Sequence, residues 1–308
     1  MKTIPETIEM ESVKQCPICA HTTFSKIADK GIVEKAGEPY AMTNVICTRC
    51  SCVFLNPRPT ENGYAEFYKT LYVSDRGEST REGEGIVMNK DTSKKTGSIA
   101  LALEPHIKKG DRILVIGGGL GMASAHLRDY FEAHVEMIEP SQEQAGHASN
   151  KYNLEVHNMD WETFTKTHSE KKYDAIVMHH VLEHFPHPVT MLTEARSYLK
   201  TNGVLYIEVP DANDYKKPKA HFFDLLHPIS FSPSSMFWTL HYAGLKAIWK
   251  NENKKTRLQI IVQKAEDAQD KQNILSAKKL GTPITVCYGL YRTMWEIAYN
   301  IKNFKKAA

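Results

Sequence analysis

The sequence has little net charge, no long apolar run and almost no cysteine beyond its first 52 residues. Its 39 Lys and Arg residues nearly balance 36 Asp and Glu residues, for a formal net charge of +3. Composition therefore gives no reason to expect a polyanionic partner such as a nucleic acid. No stretch approaches the roughly 18 apolar residues that a membrane-spanning helix needs. With 42% apolar and 24% charged residues, the 308-residue chain has a globular composition, which excludes wholesale disorder and a disulfide-dense miniprotein.

The first ten residues also lack an apolar segment, since they read MKTIPETIEM, with one proline and two acidic residues. We therefore expect no signal peptide and a cytoplasmic location. In a reducing cytoplasm, clustered cysteines serve more often as metal ligands than as disulfides. Five of the six cysteines lie within the first 52 residues, and only Cys287 lies elsewhere.

Two C-x-x-C pairs, Cys16 with Cys19 and Cys47 with Cys50, dominate this N-terminal part. Each pair brings two thiolates to one point, and two pairs complete a tetrahedral four-sulfur site that suits zinc. Because four cysteines leave no position for a catalytic water, we expect a structural zinc ion that stabilises a small domain. Cys52 is interpreted as a buried thiol, although the choice between Cys50 and Cys52 as the fourth ligand stays open.

A glycine-rich turn follows a short apolar run, ILVI, at residues 113–116. Such a run is typical of a strand buried on both faces of a parallel sheet. Gly117, Gly119 and Gly121 lead from it into a predicted helix over residues 122–131. Glycines there let the backbone approach a ligand beside the free N–H groups of a helix N-terminus. Their G-x-G-x-G spacing differs from the dinucleotide fingerprint G-x-G-x-x-G, which argues against NAD.

Acidic residues follow the next two predicted strands. Glu139 ends a strand over residues 134–138, about 20 residues past the glycines, where a carboxylate can accept hydrogen bonds from both ribose hydroxyls of a nucleoside. Asp160 and Trp161 follow a strand over residues 154–157. They either contact an adenine ring or begin a helix with Asp160 as its N-cap, and both interpretations stay open.

The remaining sequence continues to alternate strands and helices. The predicted strands cover residues 173–178, 204–209, 245–249 and 258–262, and the predicted helices cover residues 142–152, 189–199 and 233–243. Alternating units with apolar strands predict a doubly wound α/β fold whose site lies at the carboxyl ends of the strands.

Together these segments resemble a class I S-adenosylmethionine-dependent methyltransferase. The resemblance rests on ILVIGGGLG, Glu139, YDAIVMHHVLEHFPHP and LKTNGVLYIEVP. The N-terminal CPIC and CTRC, followed by NPRPTENGYAEFY, are similar to the zinc-binding segment that precedes such domains in a subset including sugar C-methyltransferases. The resemblance implies a Rossmann-like methyltransferase domain over residues 96–263, behind a zinc ribbon (1–60) and a helical linker or lid (61–95). A helical extension would cover residues 264–308.

The resemblance also assigns roles in cofactor binding. It places seven residues at S-adenosylmethionine: Gly117, Gly119, Gly121, Glu139, Asp160, Trp161 and His179. The glycines would wrap the methionine part, the glutamate would bind the ribose, the Asp–Trp pair would flank the adenine, and the histidine would line the methionine end. Val115 departs from the family, because many members carry an acid there that contacts the cofactor's amino group.

The candidates for chemistry lie in two histidine-containing segments. Methyl transfer depends mainly on positioning, and a base is needed only when the acceptor is an O–H, or a C–H beside a carbonyl. Histidine suits that role near neutral pH, and the resemblance places His184 near the reacting centre and His227 near the substrate. Glu183 is a third candidate, which could equally be a structural acid paired with a histidine. Leu226 replaces the acid that normally precedes the second histidine, which argues against C-methylation.

Two smaller questions concern other segments. The histidines of the loop after residue 178 could instead hold a metal, although Glu183 is the one suitably placed carboxylate. Tyr68 and Tyr72 resemble linker aromatics that close over the acceptor. The C-terminal extension is interpreted as a helix that covers its own domain or a dimer partner, with attachment to a membrane surface as the alternative.

The function that these features indicate is methylation of a small molecule, such as a sugar or a nucleotide-linked sugar. An RNA methyltransferase that uses the ribbon to grip nucleic acid is one alternative. It would need a basic N-terminal segment, whereas residues 1–60 hold similar numbers of basic and acidic side chains. A catalytically silent module that keeps the fold and recruits a partner is the other alternative.

Overall fold

The computed structural model describes residues 3–4, 6–35, 38–67, 90–212, 226–251 and 257–265. Some predictions fall elsewhere in the chain: the roles of Tyr68 and Tyr72, and the extension beyond residue 265. The linker expected over residues 61–95 is described only at its two ends. Within the described ranges, no helix is long and apolar enough to cross a membrane.

The N-terminal part consists mainly of short strands. Its elements are β1 (Thr3–Ile4), β2 (Met10–Glu11), β3 (Phe24–Lys35), β4 (Glu38–Cys47), β5 (Val53–Asn56), β6 (Arg58–Pro59) and α1 (Glu61–Phe67). β3, β4 and β5 are antiparallel neighbours, β1 runs parallel to β3, and β2 pairs with β6. The first C-x-x-C pair precedes β3, and the second begins at the last residue of β4.

The rest of the described chain alternates helices and strands. Its elements are α2 (Lys90–Leu103), β7 (Arg112–Ile116), α3 (Met122–Phe131), β8 (His134–Ile138), α4 (Gln142–Tyr152), β9 (Glu155–His157), α5 (Trp161–Thr167), β10 (Tyr173–His179), α6 (Pro188–Ser197), β11 (Leu199–Pro210), β12 (Ile229–Ser230), α7 (Pro233–Tyr242), β13 (Leu245–Lys250) and β14 (Arg257–Lys264). A short 3-10 helix, Leu182–His184, follows β10. The predicted strands and helices are confirmed with small shifts at their ends. The largest shift is at β11, which begins at Leu199 rather than at Val204.

Seven strands form one mixed sheet in the order β13-β14-β11-β10-β7-β8-β9. The five strands from β11 to β9 are parallel, and β14 is antiparallel to both of its neighbours. The strand order reverses at β7, because the chain reaches the edge at β9 and returns to β10 on the other side of β7. Ligands of such sheets bind at that reversal, outside the carboxyl ends of the strands. The sheet confirms the predicted doubly wound, Rossmann-like α/β fold.

Two apolar cores cover the two faces of this sheet. Ile113 and Val115 of β7 face a core that includes α2, α3 and α4, whereas Leu114 and Ile116 face a core that includes α5, α6 and α7. All four side chains are at most 3% exposed. A strand buried on both faces is what a continuous apolar run predicts.

The N-terminal part shares the second of these cores. Cys16, Cys47 and Phe54 belong to the same buried cluster as Leu114 and Met236. β12 pairs antiparallel with β5, so it becomes the last strand of the N-terminal sheet. The N-terminal sheet is therefore joined by main-chain hydrogen bonds to the segment just before α7, and by apolar packing to one face of the large sheet.

Candidate functional site

The glycine turn lies between β7 and α3, at the reversal of the strand order. Gly117 and Gly121 have φ angles of 66° and 83°, in the left-handed region that favours glycine. A Cβ atom at Gly117 would lie 2.6 Å from Cγ2 of Val181, and one at Gly121 would lie 2.6 Å from Cβ of Ala148. These two glycines therefore let the turn pack closely against the loop after β10 and against α4.

Glu139 lies directly beside this turn. Its Oε2 accepts a hydrogen bond from the Gly119 N–H at 2.8 Å, and its Oε1 accepts one from the Ser141 N–H at 2.9 Å. Asn158 donates to the backbone oxygen of Glu139 at 2.9 Å. The structure thus brings together the acid and the glycine turn that the sequence assigns to one ligand.

Asp160 is the N-cap of α5. Its Oδ1 accepts a hydrogen bond from the Thr163 N–H at 2.8 Å, so the capping interpretation is realised and the predicted contact with adenine stays a prediction. Trp161 is 7% exposed and packs against Phe164 and Tyr198. Its ring belongs to the apolar core, and contact of the indole with the adenine stays a prediction.

His179 ends β10 and lies beside a buried carboxylate that the sequence analysis missed. Its Nε2 lies 3.7 Å from Oε1 of Glu208, which is 1% exposed. Glu208 accepts hydrogen bonds from Tyr206 and Gln259, both at 2.6 Å, and from Arg257 at 2.8 Å. Burial alone raises the pKa of Glu208, but the nearby His179 and these hydrogen bonds outweigh it, so the carboxylate is ionised at neutral pH. An acid at the carboxyl end of a buried strand is the sequence signal that could have identified it.

Glu183 pairs with His180, another residue that the sequence analysis did not assign to the site. Nδ1 of His180 lies 3.2 Å from Oε1 of Glu183, which is 2% exposed. Burial alone raises the pKa of Glu183, but the hydrogen bond with His180 and the charge of nearby His184 hold it below its usual value. His180 adopts a φ of 56°, which is uncommon for a residue with a side chain. The pairing with His180 matches the interpretation of Glu183 as a structural acid paired with a histidine, and a direct role in catalysis stays a prediction.

His184 and His227 are brought together from segments far apart in the chain. Their ring centroids lie 4.8 Å apart, and the candidate ligand atoms of Glu183, His184 and His227 all lie within 4.8 Å of one another. His184 shares a hydrogen bond with the backbone oxygen of Leu226 through Nδ1, at 2.8 Å. Because a carbonyl oxygen only accepts, Nδ1 carries a proton, and in the neutral imidazole the lone pair is therefore on Nε2.

The four predicted metal ligands converge in the N-terminal part. Cys16, Cys19, Cys47 and Cys50 are all buried, and their sulfur atoms lie within 4.8 Å of one another. Two of the separations are 3.5 Å (Cys16 to Cys50) and 3.6 Å (Cys19 to Cys47). A tetrahedral zinc site with Zn–S bonds of about 2.3 Å places its sulfur atoms about 3.8 Å apart, so the geometry fits zinc. Cys52 instead directs its sulfur to the backbone oxygen of Val53, at 3.8 Å.

The two C-x-x-C pairs have the same backbone arrangement. Cys16 donates its N–H to the oxygen of His21 at 2.8 Å, and Cys47 donates to the oxygen of Cys52 at 2.9 Å. The residue four positions after the first cysteine of each pair, Ala20 or Ser51, has a φ of 56° or 60°. Two matching turns presenting paired thiols are the arrangement that the spacing of the cysteines predicts.

Known proteins place this architecture in a family. Residues 88–249, more than half of the chain, match a family model described as a methyltransferase domain. Among curated protein sequences, none matches the chain.

Solved structures of methyltransferases share the fold. The 1,6-didemethyltoxoflavin-N1-methyltransferase of Burkholderia thailandensis, solved with S-adenosylhomocysteine, has 14% identity and a TM-score of 0.54, over 73% of this chain and 96% of that chain. The magnesium protoporphyrin IX methyltransferase of Synechocystis PCC 6803, also solved with S-adenosylhomocysteine, has 14% identity and a TM-score of 0.50, over 66% of this chain and 100% of that chain. The mitomycin 7-O-methyltransferase MmcR has 17% identity and a TM-score of 0.50, over 66% of this chain and 60% of that chain. From its family match and its sheet, the chain belongs to the methyltransferase-domain family and is an S-adenosylmethionine-dependent methyltransferase.

Proposed function

We propose that this enzyme methylates a small molecule, a sugar or a nucleotide-linked sugar, with His184 as the base that accepts a proton from the acceptor. The observation that carries the proposal is the convergence of Glu183, His184 and His227 within 4.8 Å beside the glycine turn. The loop that bears His184 reaches that turn through Val181, whose side chain packs where Gly117 lacks one. Cofactor and acceptor sites are thereby adjacent.

The cofactor side of the site is formed by Glu139 and the glycine turn. S-adenosylmethionine, when bound, supplies an electrophilic methyl group on a sulfonium. At Gly119 the nearest atom to an added Cβ is the side-chain oxygen of Gln144, at 3.3 Å, so no backbone crowds the turn on that side. Glu139 is held in place by two backbone N–H groups. Each oxygen of a carboxylate accepts more than one hydrogen bond, which suits the two hydroxyls of a ribose.

The acceptor side is formed by the two histidines. The hydrogen bond to Leu226 keeps the proton of His184 on Nδ1, and Nε2 is then the atom that takes a proton from a hydroxyl group as the methyl group is transferred. The ionised carboxylate of Glu183 lies nearby and stabilises the imidazolium that forms. We infer that a hydroxyl is the favoured acceptor group, because Leu226 stands where an acid would support removal of a carbon-bound proton.

The four clustered cysteines hold a structural zinc ion in this proposal. Hydrogen bonds from Cys47 and Cys50 lower the pKa of Cys16 well below its usual value, which favours a thiolate in the cluster before any metal binds. The site is closed, because all four ligands are cysteines on two fixed turns. Zinc would therefore contribute to folding and not to methyl transfer.

The near-neutral composition favours a small acceptor over RNA. A nucleic-acid enzyme would need a basic surface to neutralise phosphates, whereas the formal net charge here is +3 over 308 residues. The structural relatives named above also act on small molecules.

A methyl-labelled cofactor tests the acceptor class. The enzyme is incubated with labelled S-adenosylmethionine and, separately, with a set of nucleotide sugars, with free sugars and with transfer and ribosomal RNA. The proposal predicts label in at least one sugar and none in RNA. Label in RNA alone would replace it with the RNA alternative, and binding of the cofactor without transfer to any acceptor class would favour the silent module.

A further inference from the structure

The hydrogen bond between His184 and Leu226 lies at the proposed acceptor site, and one short segment of the N-terminal part contacts the chain on both sides of it. The donor, His184, lies in the turn after β10, and the acceptor, Leu226, lies just before β12. Residues 53–59, which include β5 and β6, contact the chain just after His184 and the chain just after Leu226. We propose that Arg58 in this segment is a positioning residue for methyl transfer, which fixes the turn that carries His184.

Arg58 is a buried side chain with partners on two separate elements. It is 2% exposed, although arginine is seldom buried without partners. Its Nη1 donates to the backbone oxygen of Pro186 at 2.9 Å, two residues beyond His184. Its Nε donates to Oε1 of Glu11 at 2.7 Å, and this carboxylate is 39% exposed. The guanidinium thus ties the histidine turn to β2 and β6.

The acceptor end of the bond is held by β5. Leu55 donates its N–H to the backbone oxygen of Pro228 at 3.0 Å, and Ile229 and Ser230 pair with Phe54 and Val53. These contacts begin two residues after Leu226. Residues 53–59 therefore position both partners of the hydrogen bond between His184 and Leu226. Arg58 holds the turn that carries His184, and the pairing of β5 with β12 holds the chain just after Leu226.

Arginine suits this role because its planar fork donates in two fixed directions. Lysine retains the charge but cannot reproduce that fork. A loosened turn would weaken the bond from Nδ1 of His184 and allow the other tautomer, in which Nε2 carries the proton and cannot accept one. The effect of this tautomer on kcat rests on the proposed function, in which His184 is the base. The effect of Arg58 on the tautomer of His184 does not rest on it.

The experiment measures the tautomer of His184 by long-range proton–nitrogen NMR on full-length, metal-loaded protein labelled with ¹⁵N-histidine. A His184→Gln variant identifies the resonances. In Arg58→Lys we expect the ratio of the Nδ1–H to the Nε2–H tautomer to fall about fivefold, which corresponds to the loss of one net hydrogen bond of about 1 kcal/mol. The dissociation constant for S-adenosylhomocysteine and the zinc content should stay unchanged, because neither site contains Arg58.

Two further variants make the result decisive. Glu11→Ala removes the Nε partner at a partly exposed position and should shift the ratio in the same direction by a smaller amount, so it decides the question if Arg58→Lys does not fold. Thr60→Val is the matched control, because it removes a hydroxyl that donates to Glu9 and accepts from the Gly63 N–H, without touching the histidine turn. The proposal is overturned if the ratio stays unchanged in both test variants, or if the control shifts it equally.

The activity of the same variants separates the two proposals. With an acceptor identified, Arg58→Lys should lower kcat and leave cofactor affinity alone. A shifted tautomer with unchanged kcat would keep the link between the residues and reject the role of His184 as the base. In that case Arg58 would position His184 without any role in methyl transfer.

Discussion

The backbone N–H of Gly119 donates to Oε2 of Glu139 across 2.8 Å, so the turn after β7 and the acid after β8 form one unit. The second oxygen of the carboxylate is held by Ser141. A buried acid with two backbone donors has a fixed orientation before any ligand arrives. The two backbone donors therefore fix the orientation of the carboxylate that we predict binds the ribose.

Glu139→Ala should weaken the binding of S-adenosylhomocysteine about tenfold or more, the scale of one lost hydrogen bond to a charged group. Isothermal titration calorimetry on the folded variant measures this directly. Glu143→Ala, an exposed acid in the first turn of α4, is the matched control and should bind as the wild type does. An unchanged dissociation constant in Glu139→Ala would contradict its assignment to the ribose.

Two glycines near α4 should respond in opposite ways to an added methyl group. Gly121→Ala forces a Cβ to within 2.6 Å of Ala148 at a φ of 83°, and it should destabilise the fold by about 2 kcal/mol or more. Gly146→Ala lies within α4 and meets nothing within 4 Å, so it should stabilise the fold by up to about 1 kcal/mol. Urea unfolding gives both values, and equal effects would contradict the packing described for the turn.

Metal analysis should find about one zinc ion per chain, as for a closed site of four thiolates. The double variant Cys16→Ser with Cys19→Ser should lose the metal and much of its stability. Cys52→Ser is the matched control, since the sulfur of Cys52 lies against the oxygen of Val53, and it should keep the metal. Retention of zinc by a folded double variant would show that the four-cysteine site is wrong.

The stability of the fold should fall in acid partly because of Glu136. This carboxylate accepts hydrogen bonds from Arg112 at 2.7 Å and from Tyr173 at 3.1 Å, and it also bonds His157 and Lys171. Burial alone raises the pKa of Glu136, but the hydrogen bonds from His157, Lys171 and Arg112 outweigh it and hold the pKa well below its usual range. A lowered folded-state pKa stabilises the fold above the unfolded-state pKa of about 4.3, and this contribution is lost as the pH falls below that value.

Glu136→Gln should therefore cost roughly 3 kcal/mol at pH 7, the scale of breaking a buried ion pair, and less at pH 4. Glu162→Gln removes an exposed ion pair with Lys166 and should cost under about 1 kcal/mol at either pH. Urea unfolding at the two pH values measures the difference. Any loss of metal in acid affects both variants alike. If the difference in unfolding free energy between the two variants is the same at both pH values, Glu136 is not a source of the pH dependence.

Periodicity and turn signals in the sequence predicted the large sheet well, because β7, β8 and β10 are short, mainly apolar strands, and Gly117 and Glu139 directly follow the first two. The cysteine spacing likewise predicted the four-sulfur cluster. The pairing of β12 with β5 could not be predicted, since Ile229 and Ser230 form a two-residue strand whose partner lies far away in the chain. The sequence pattern around these two residues carries no information on which distant strand they pair with.

The direction of individual side chains could not be predicted from the sequence either. Trp161 follows the capping residue of α5, and whether its ring faces a ligand or the core depends on how that helix packs against Tyr198. Glu208 is one residue in a buried strand, and its partners come from neighbouring strands and from His179. These features depend on tertiary contacts, so only the structure shows them.

The most direct test of the account compares kcat and cofactor affinity in His184→Gln, with a nucleotide sugar found by the labelled-methyl screen as the acceptor. Loss of a general base should lower kcat by about 10²- to 10⁴-fold, while the dissociation constant for S-adenosylhomocysteine stays at the wild-type value. His187→Gln, whose side chain is 48% exposed, should retain full activity. A kcat that stays near the wild-type value in His184→Gln, or a loss of affinity as large as the loss of kcat, would contradict the assignment of His184 as the base.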